Sequence, residues 1–381
     1  LKNGSQKLAW KILALTCILE MVRLLEFSGP FIFPPEDFTI VFESARLLYQ
    51  EQQNPYLDPR ANAFPFPAYP LFYLTGFAGH LKIALASQVY LGLNILALLI
   101  SILCLSNLAK VRFDFQQHGA ACLLWAAVLL HPGVVQALLF GQTGILVLLW
   151  VVLGIWSWQR GYGLPWFPAL SFTLAWMQKP YLVLSALFFI VCLAREFREL
   201  KQRSSFTSEA TIGLGVIGFS CGIVLLLIIL PGGIGFTTFQ QFVAGLNRLQ
   251  QFYSQSWADN YAFVAIVLHI GMSSIGLEYS QWIEAGSIAA ILIIVLISIY
   301  IQRGIVPSLY TYLPWLVASL LPFAVVWKHY YPWIMPVLYL SLASLWQRND
   351  DSMFPVPMCV AIGMLHVLSS PVFTAGLLSL F

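Results

Sequence analysis

Charge is what this chain has least of. Of its 381 residues only 9% are Asp, Glu, Lys or Arg, while 59% are hydrophobic. A soluble globular domain carries roughly 25% charged residues, so that class is excluded and the composition is that of an integral membrane protein. The formal net charge of +3 gives no footing for nucleic acid as a partner. Six cysteines, Cys17, Cys104, Cys122, Cys192, Cys221 and Cys359, lie within apolar runs and without paired spacing. That excludes a disulfide framework or a zinc site and leaves small core hydrophobes. Internal repeats and low-complexity tracts are missing too, which removes solenoids and disordered tails.

What is present is oil in long pieces. A membrane-spanning helix needs roughly 20 apolar residues. Segments of that kind cover 8–27, 84–108, 117–131, 142–160, 163–178, 179–195, 210–230, 283–302, 306–325, 331–347 and 355–376. The expectation is an all-α, polytopic membrane protein with about eleven transmembrane helices forming one domain over 1–381. The block 163–195 is divided at Lys179-Pro180, because proline breaks a continuous helix. Residues 8–27 lack a small-residue cleavage site and read as a retained first span. Two apolar pieces, 66–80 and 260–272, are too short to cross and read as half-inserted segments.

Orientation follows from the basic residues, which collect in cytoplasmic loops. With the N-terminus inside, Lys110, Arg112, Arg160, Arg195, Arg198, Lys201, Arg203, Arg303 and Arg348 are all cytoplasmic, while Glu36, Asp37, Glu43, Glu51 and Asp58 lie outside. The outer face then carries two long polar segments, 28–83 and 231–282, and the short junctions at 132–141, 178–179 and 328–329. Within the first, Phe38, Val41, Phe42, Ala45, Leu48 and Tyr49 form one stripe at helical spacing, which predicts an amphipathic helix lying on the membrane surface. Residues 236–253 predict a weaker second helix of that kind.

These outer segments hold the residues capable of chemistry, and each also has an ordinary structural reading. Asp37 opens the amphipathic helix, where a carboxylate is a preferred cap. Glu36 beside it reads as solvated. The stretch HPGVVQALLFGQTG, 131–144, has the Pro and Gly of a turn between two helices, with Gly141 and Gln142 opening the next span. Lys179 sits between two apolar stretches, where it either snorkels to headgroups or faces an anion in a polar cavity. Lys328 and His329 stand among aromatics, which alone mark a membrane interface; together they suit a phosphate. The set combines one carboxylate with several cations and amides on one side of the membrane. A carboxylate deprotonates a hydroxyl, cations stabilise a departing phosphate, and clefts between spans hold a long lipid tail.

In order along the chain, these motifs resemble the polyprenyl-phosphate-sugar-dependent glycosyltransferases of the GT-C superfold, and within them glycosyltransferase family 87, a mannosyltransferase-like group. DFTIVFESARLLYQEQQNPYLDP is similar to that family's first outer loop, and FPFPAYPLFYL to its Tyr-Pro-Pro segment, with the second proline displaced to Pro70. LLFGQTGILVLL resembles its Gly-Gln-Asn motif with Thr143 in place of Asn, and LAWMQKPYLVL its Lys-Pro motif. SQSWADN and VVWKHYYPWIMP resemble two later motifs. The resemblance implies an inverting transfer of a hexose, mannose by analogy, from a polyprenyl-phosphate sugar to a lipid-linked or glycan acceptor. Asp37 would be the general base, Lys179, His329 and Lys328 would receive the donor phosphate, and Gln142, Arg248, Gln255, Asn260 and Glu36 would contact substrate. No cofactor and no metal are expected, since no second acidic cluster or histidine set accompanies Glu36 and Asp37.

Rival classes make different demands. A transporter or lipid-linked-sugar flippase places ionisable residues near the bilayer midplane, often on repeated broken helices. A polymerase or ligase acting on a lipid diphosphate tends toward arginine-rich outer loops, whereas those here carry Arg46, Arg60 and Arg248. A structural or sensory protein leaves the set of Asp37, Lys179 and His329 without a use.

Overall fold

The computed structural model describes residues 34–57, 77–108, 129–160 and 166–179, parts of 237–248, and single positions such as Lys11, Ile293, Met335 and Tyr339. Among the described residues the secondary structure is helical throughout, with no strand.

The first helix, α1, spans Glu36–Gln50. Pro35 precedes it with an extended ψ of 142°, and Glu36 and Asp37 place negative charge in the first turn, where the helix dipole favours it. The backbone amide of Thr39 donates to the Pro35 carbonyl at 2.9 Å, and its hydroxyl does the same at 2.9 Å. The helix stops at Glu51 and Gln52, the latter a non-glycine residue at φ 51°. A 3-10 turn follows at Pro55–Leu57.

The second helix, α2, spans Ile83–Leu108. Its 26 residues run for about 39 Å, more than the roughly 30 Å of a bilayer core. Among the described residues it is the one helix long and apolar enough to cross a membrane. Its two faces are distributed as a lipid solvent would require. The exposed side presents Leu85, Val89, Leu93, Leu96, Leu99 and Leu103. The buried side carries the polar residues Ser87, Asn94, Ser101 and Ser106 among Ala86, Tyr90, Ala97 and Leu98. Several of those polar groups bond back to the helix's own carbonyls: Ser87 to Ala84 at 2.9 Å, Asn94 to Tyr90 at 2.9 Å and Ser101 to Ala97 at 2.7 Å.

Three further helices follow: α3 at Pro132–Phe140, α4 at Gly144–Arg160 and α5 at Trp166–Gln178. Helix α4 packs against both α2 and α5. Leu146, near the start of α4, lies against a cluster containing Ala86 and Tyr90, and Trp156, near its end, donates to Asn107 at 3.3 Å. Helices α2 and α4 therefore run the same way. Close approach to α5 depends on Gly154, where a Cβ would come within 2.9 Å of the Phe172 ring. Ser106 and Tyr339 share a buried 2.7 Å hydrogen bond that ties the far end of α2 to a later part of the chain.

Helix α1 sits at the end of this bundle where α2 and α4 begin. Its apolar face does not rest on lipid, as the stripe alone predicts. Phe38, Val41, Phe42 and Ala45 are buried in a cluster with Ala86, Tyr90, Tyr56, Ala78 and Phe242, and the Phe38 and Tyr90 rings lie 5.0 Å apart. An amphipathic stripe has no means of distinguishing a protein interior from acyl chains, because both exclude water equally. Tyr49, at the end of the predicted stripe, is exposed.

A second segment joins the same cluster. Residues 237–238, 240–245 and 248 are helical, Asn54 donates its amide to Gln241, and the Tyr56 and Phe242 rings lie 5.9 Å apart. The expected spans at 8–27, 117–131 and from 179 onward, and the half-inserted pieces at 66–80 and 260–272, fall wholly or largely outside the described residues.

Candidate functional site

The site begins with the short helix α3, which sequence reasoning takes for a turn. Pro132 occupies its first position, where a missing N–H costs nothing. His131 is the cap, its Nδ1 accepting from the Gly133 amide at 3.1 Å. Gly141 ends it in the left-handed region, at φ 68°. Two backbone bonds close the end: Gly141 N to Leu138 O at 3.2 Å, and Gln142 N to Ala137 O at 2.8 Å. This is the Schellman arrangement, with glycine at the position where a Cβ would be strained. Proline and glycine here are thus the start and stop of a helix rather than marks of a bare turn.

Gly141 is also a contact point between segments. A Cβ on it would stand 2.7 Å from Phe38 Cβ and 3.1 Å from Pro35 Cβ. The absence of a side chain therefore lets the end of α3 press against the start of α1. Gln142, the next residue, is buried beside the first turn of α1.

There its side chain meets Asp37. The Gln142 Nε2 amide donates to Asp37 Oδ2. On its other side, Lys179 Nζ donates to Gln142 Oε1 at 3.5 Å. Lys179 follows the C-terminal end of α5, its backbone amide bonded to Ala175 O at 3.1 Å. The side chain is buried, at 6% exposure. Three residues from three separate segments, 37, 142 and 179, thus form one chain of carboxylate, carboxamide and ammonium.

Asp37 does not act as a cap. Helix α1 starts one residue earlier, Pro35 holds the cap position, and no side chain bonds to the helix's first amides. Its carboxyl is partly buried, and that burial lifts it above its ordinary pKa. The Gln142 amide and the positive charge of Lys179 pull it back toward ionisation, while Glu36 pushes the other way. A carboxyl so placed holds a proton more tightly than a solvated one, yet has a cation close by to accept the counter-charge.

The other candidates are distributed differently. Glu36 is exposed and reaches Asp37 only through its field. Arg248 is exposed on the 237–248 segment. Lys328, His329, Gln255 and Asn260 lie outside the described residues. Among the described residues no group of three His, Cys, Asp or Glu is gathered in a way that would hold a metal ion. Sequence reasoning missed the role of Gly141. The signal was available, since glycine immediately after an apolar helix of proline-first design is a stop.

Burial around the three residues is polar as well as apolar. Thr143 and Gln178, the chain neighbours of Gln142 and Lys179, are both buried. Among the described residues Gln178 Oε1 has no hydrogen-bond partner. No protein-family model, no curated protein and no solved structure matches this chain.

Proposed function

We propose that the protein is a polytopic membrane glycosyltransferase that moves a hexose from a polyprenyl-phosphate sugar to a lipid-linked or glycan acceptor. The observation that carries this reading is the turn of Asp37 away from its own helix and onto a buried amide that also engages Lys179. A residue present only to cap α1 would bond to the helix's amides instead.

In this reading Asp37 takes the proton of the acceptor hydroxyl. The hydroxyl oxygen forms a bond to the anomeric carbon as the bond from that carbon to the phosphate oxygen breaks, so the configuration inverts. The proton ends on the Asp37 carboxyl, and the polyprenyl phosphate leaves with one more negative charge than it had as a diester. Lys179 stabilises that charge. Lys328 and His329 are assigned to the same phosphate, and Gln142, Arg248, Gln255, Asn260 and Glu36 to the substrates, by the resemblance to glycosyltransferase family 87 alone.

The reading includes about eleven spans, a cytoplasmic N-terminus and a reaction on the outer membrane face. The lipid-suited exposed face of α2 supports a membrane setting. A transporter would carry ionisable groups in mid-span. Helices α2 and α5 contain no Asp, Glu, Lys, Arg or His, and α4 contains only its terminal Arg160.

The test is transfer of labelled hexose from a synthetic polyprenyl-phosphate hexose in proteoliposomes. Asp37→Asn should insert and fold yet give no product. Turnover retained in that variant would remove Asp37 from the mechanism. Counter-flow of a labelled solute in liposomes lacking any lipid-sugar donor would favour the transporter.

A further inference from the structure

We infer that Gln142 is the positioning residue of this site, selecting which oxygen of Asp37 acts as the base. The inference deepens the transferase reading and rests on it for the chemistry, although its geometry stands independently.

A carboxamide has one donating end and one accepting end. Here both are in use: Nε2 donates to Asp37 Oδ2 and Oε1 accepts from Lys179 Nζ at 3.5 Å. The orientation is dictated by the partners. Reversal would set the carbonyl oxygen against a carboxylate and the amino group against an ammonium, two repulsions in place of two attractions. Glutamate would put a second negative charge on Asp37, and asparagine is one methylene too short to span both neighbours. The backbone of Gln142 is fixed as well, by its 2.8 Å bond to Ala137 O and by the left-handed Gly141 before it. The side chain is buried, at 6% exposure.

One consequence follows for the reaction. With Oδ2 engaged, Oδ1 is the oxygen that takes the acceptor's proton. Each end keeps spare capacity, one N–H and one lone pair, so the Gln142 amide still has groups with which to contact substrate.

Among the described residues, few groups bear on Asp37. Helix α1 packs, among the described elements, against the 3-10 turn, α2 and α3; the titratable side chains that these elements and the α3 cap carry are Tyr56, Tyr90, Cys104 and His131. The carboxyl's balance is set by burial, the Gln142 bond, Lys179 and Glu36. Removing the amide should therefore leave burial and Glu36 opposed by Lys179 alone.

The experiment is an infrared pH titration of the protein in lipid nanodiscs, following the protonated-carboxyl band that is lost in Asp37→Asn. Gln142→Met keeps an unbranched side chain of similar length and removes both polar ends. Its band midpoint should rise by about one to two pH units, the equivalent of one hydrogen bond to a charged group. The acid limb of the transfer rate should rise by the same amount. Should Gln142→Met fail to fold, Gln142→Leu, which likewise removes both polar ends, carries the same expectation. An unmoved infrared midpoint overturns the positioning role whatever the activity. A midpoint that rises while the acid limb stays put overturns it differently, by showing that Asp37 is not the base and that the transferase reading has failed.

Discussion

Replacing Gly141 by alanine tests the join between α3 and α1 with a single methyl group. Two costs arise. The residue sits at φ 68°, a conformation that costs an L-residue with a Cβ about 1–2 kcal/mol. The new Cβ would also stand 2.7 Å from Phe38 Cβ and 3.1 Å from Pro35 Cβ, against an ordinary carbon contact of about 3.5–4.0 Å. Neither neighbour is the free tip of a flexible side chain, so α1 must retreat by about 1 Å. Overpacking of this kind costs about 1–3 kcal/mol, and the total loss should be about 2–5 kcal/mol. Because Asp37 precedes Phe38, the retreat also stretches the Asp37–Gln142 bond.

Two other glycines supply controls. Gly154→Ala brings a Cβ to 2.9 Å from the Phe172 ring, but in ordinary helical backbone and away from Asp37. Gly92→Ala meets nothing within 4 Å on α2 and should be neutral or stabilising, by up to about 1 kcal/mol. Thermal melting in nanodiscs should rank the variants Gly92→Ala, Gly154→Ala, Gly141→Ala in falling stability, and only Gly141→Ala should lose most hexosyl transfer. If Gly141→Ala melts with the parent protein and turns over normally, the close approach does not constrain the site and the reasoning is wrong.

Two further outcomes follow. Lys179→Met should weaken binding of the polyprenyl-phosphate sugar, read as a raised donor KM or a lost signal in equilibrium binding; unchanged donor affinity would leave Lys179 a purely structural partner of Gln142. For pH, Asp37 binds its proton more tightly folded than unfolded, so the native state holds the excess of protons between the ordinary carboxyl value of about 3.9 and the raised one. Across that window its contribution to stability falls as pH rises, and above it the contribution is flat. Melting curves between about pH 4 and pH 7 should show that slope in the parent protein. Asp37→Asn should flatten it, and equal slopes in the two would contradict the burial argument.

Among the described residues, the positions of the longer helices were legible in the order of residues. The apolar run 84–108 is Ile83–Leu108, the run 142–160 is Gly144–Arg160, and 163–178 contains Trp166–Gln178. The stripe at 38–49 is helix Glu36–Gln50. Length and hydropathy suffice for these because the helix period is a local constraint. What failed was non-local. The apolar face of α1 is covered by Tyr90 and Phe242, residues distant in sequence, and nothing in the stripe names its cover. Asp37, Gln142 and Lys179 were each visible as polar interruptions. Their pairing was not, since Asp37 and Gln142 lie 105 positions apart and Gln142 and Lys179 lie 37 apart. Helix α3 was missed for a different reason: proline and glycine mark both turns and helix ends, and spacing alone does not separate the two.

The contact of Asn54 and Tyr56 with Gln241 and Phe242 sets a timetable for biogenesis. Asn54 and Gln241 are separated by 187 positions, and at roughly 5–20 residues per second a ribosome needs about 10–40 s to cover that interval. For most of it, once Tyr90 has been made, the new α1 has that ring to lean on but no Phe242. Its remaining oily flank must be sheltered by headgroups or by an insertase until the later segment arrives. Nascent chains truncated before Gln241 should accordingly be cut more readily by protease at 50–57 than chains extended past Gly245.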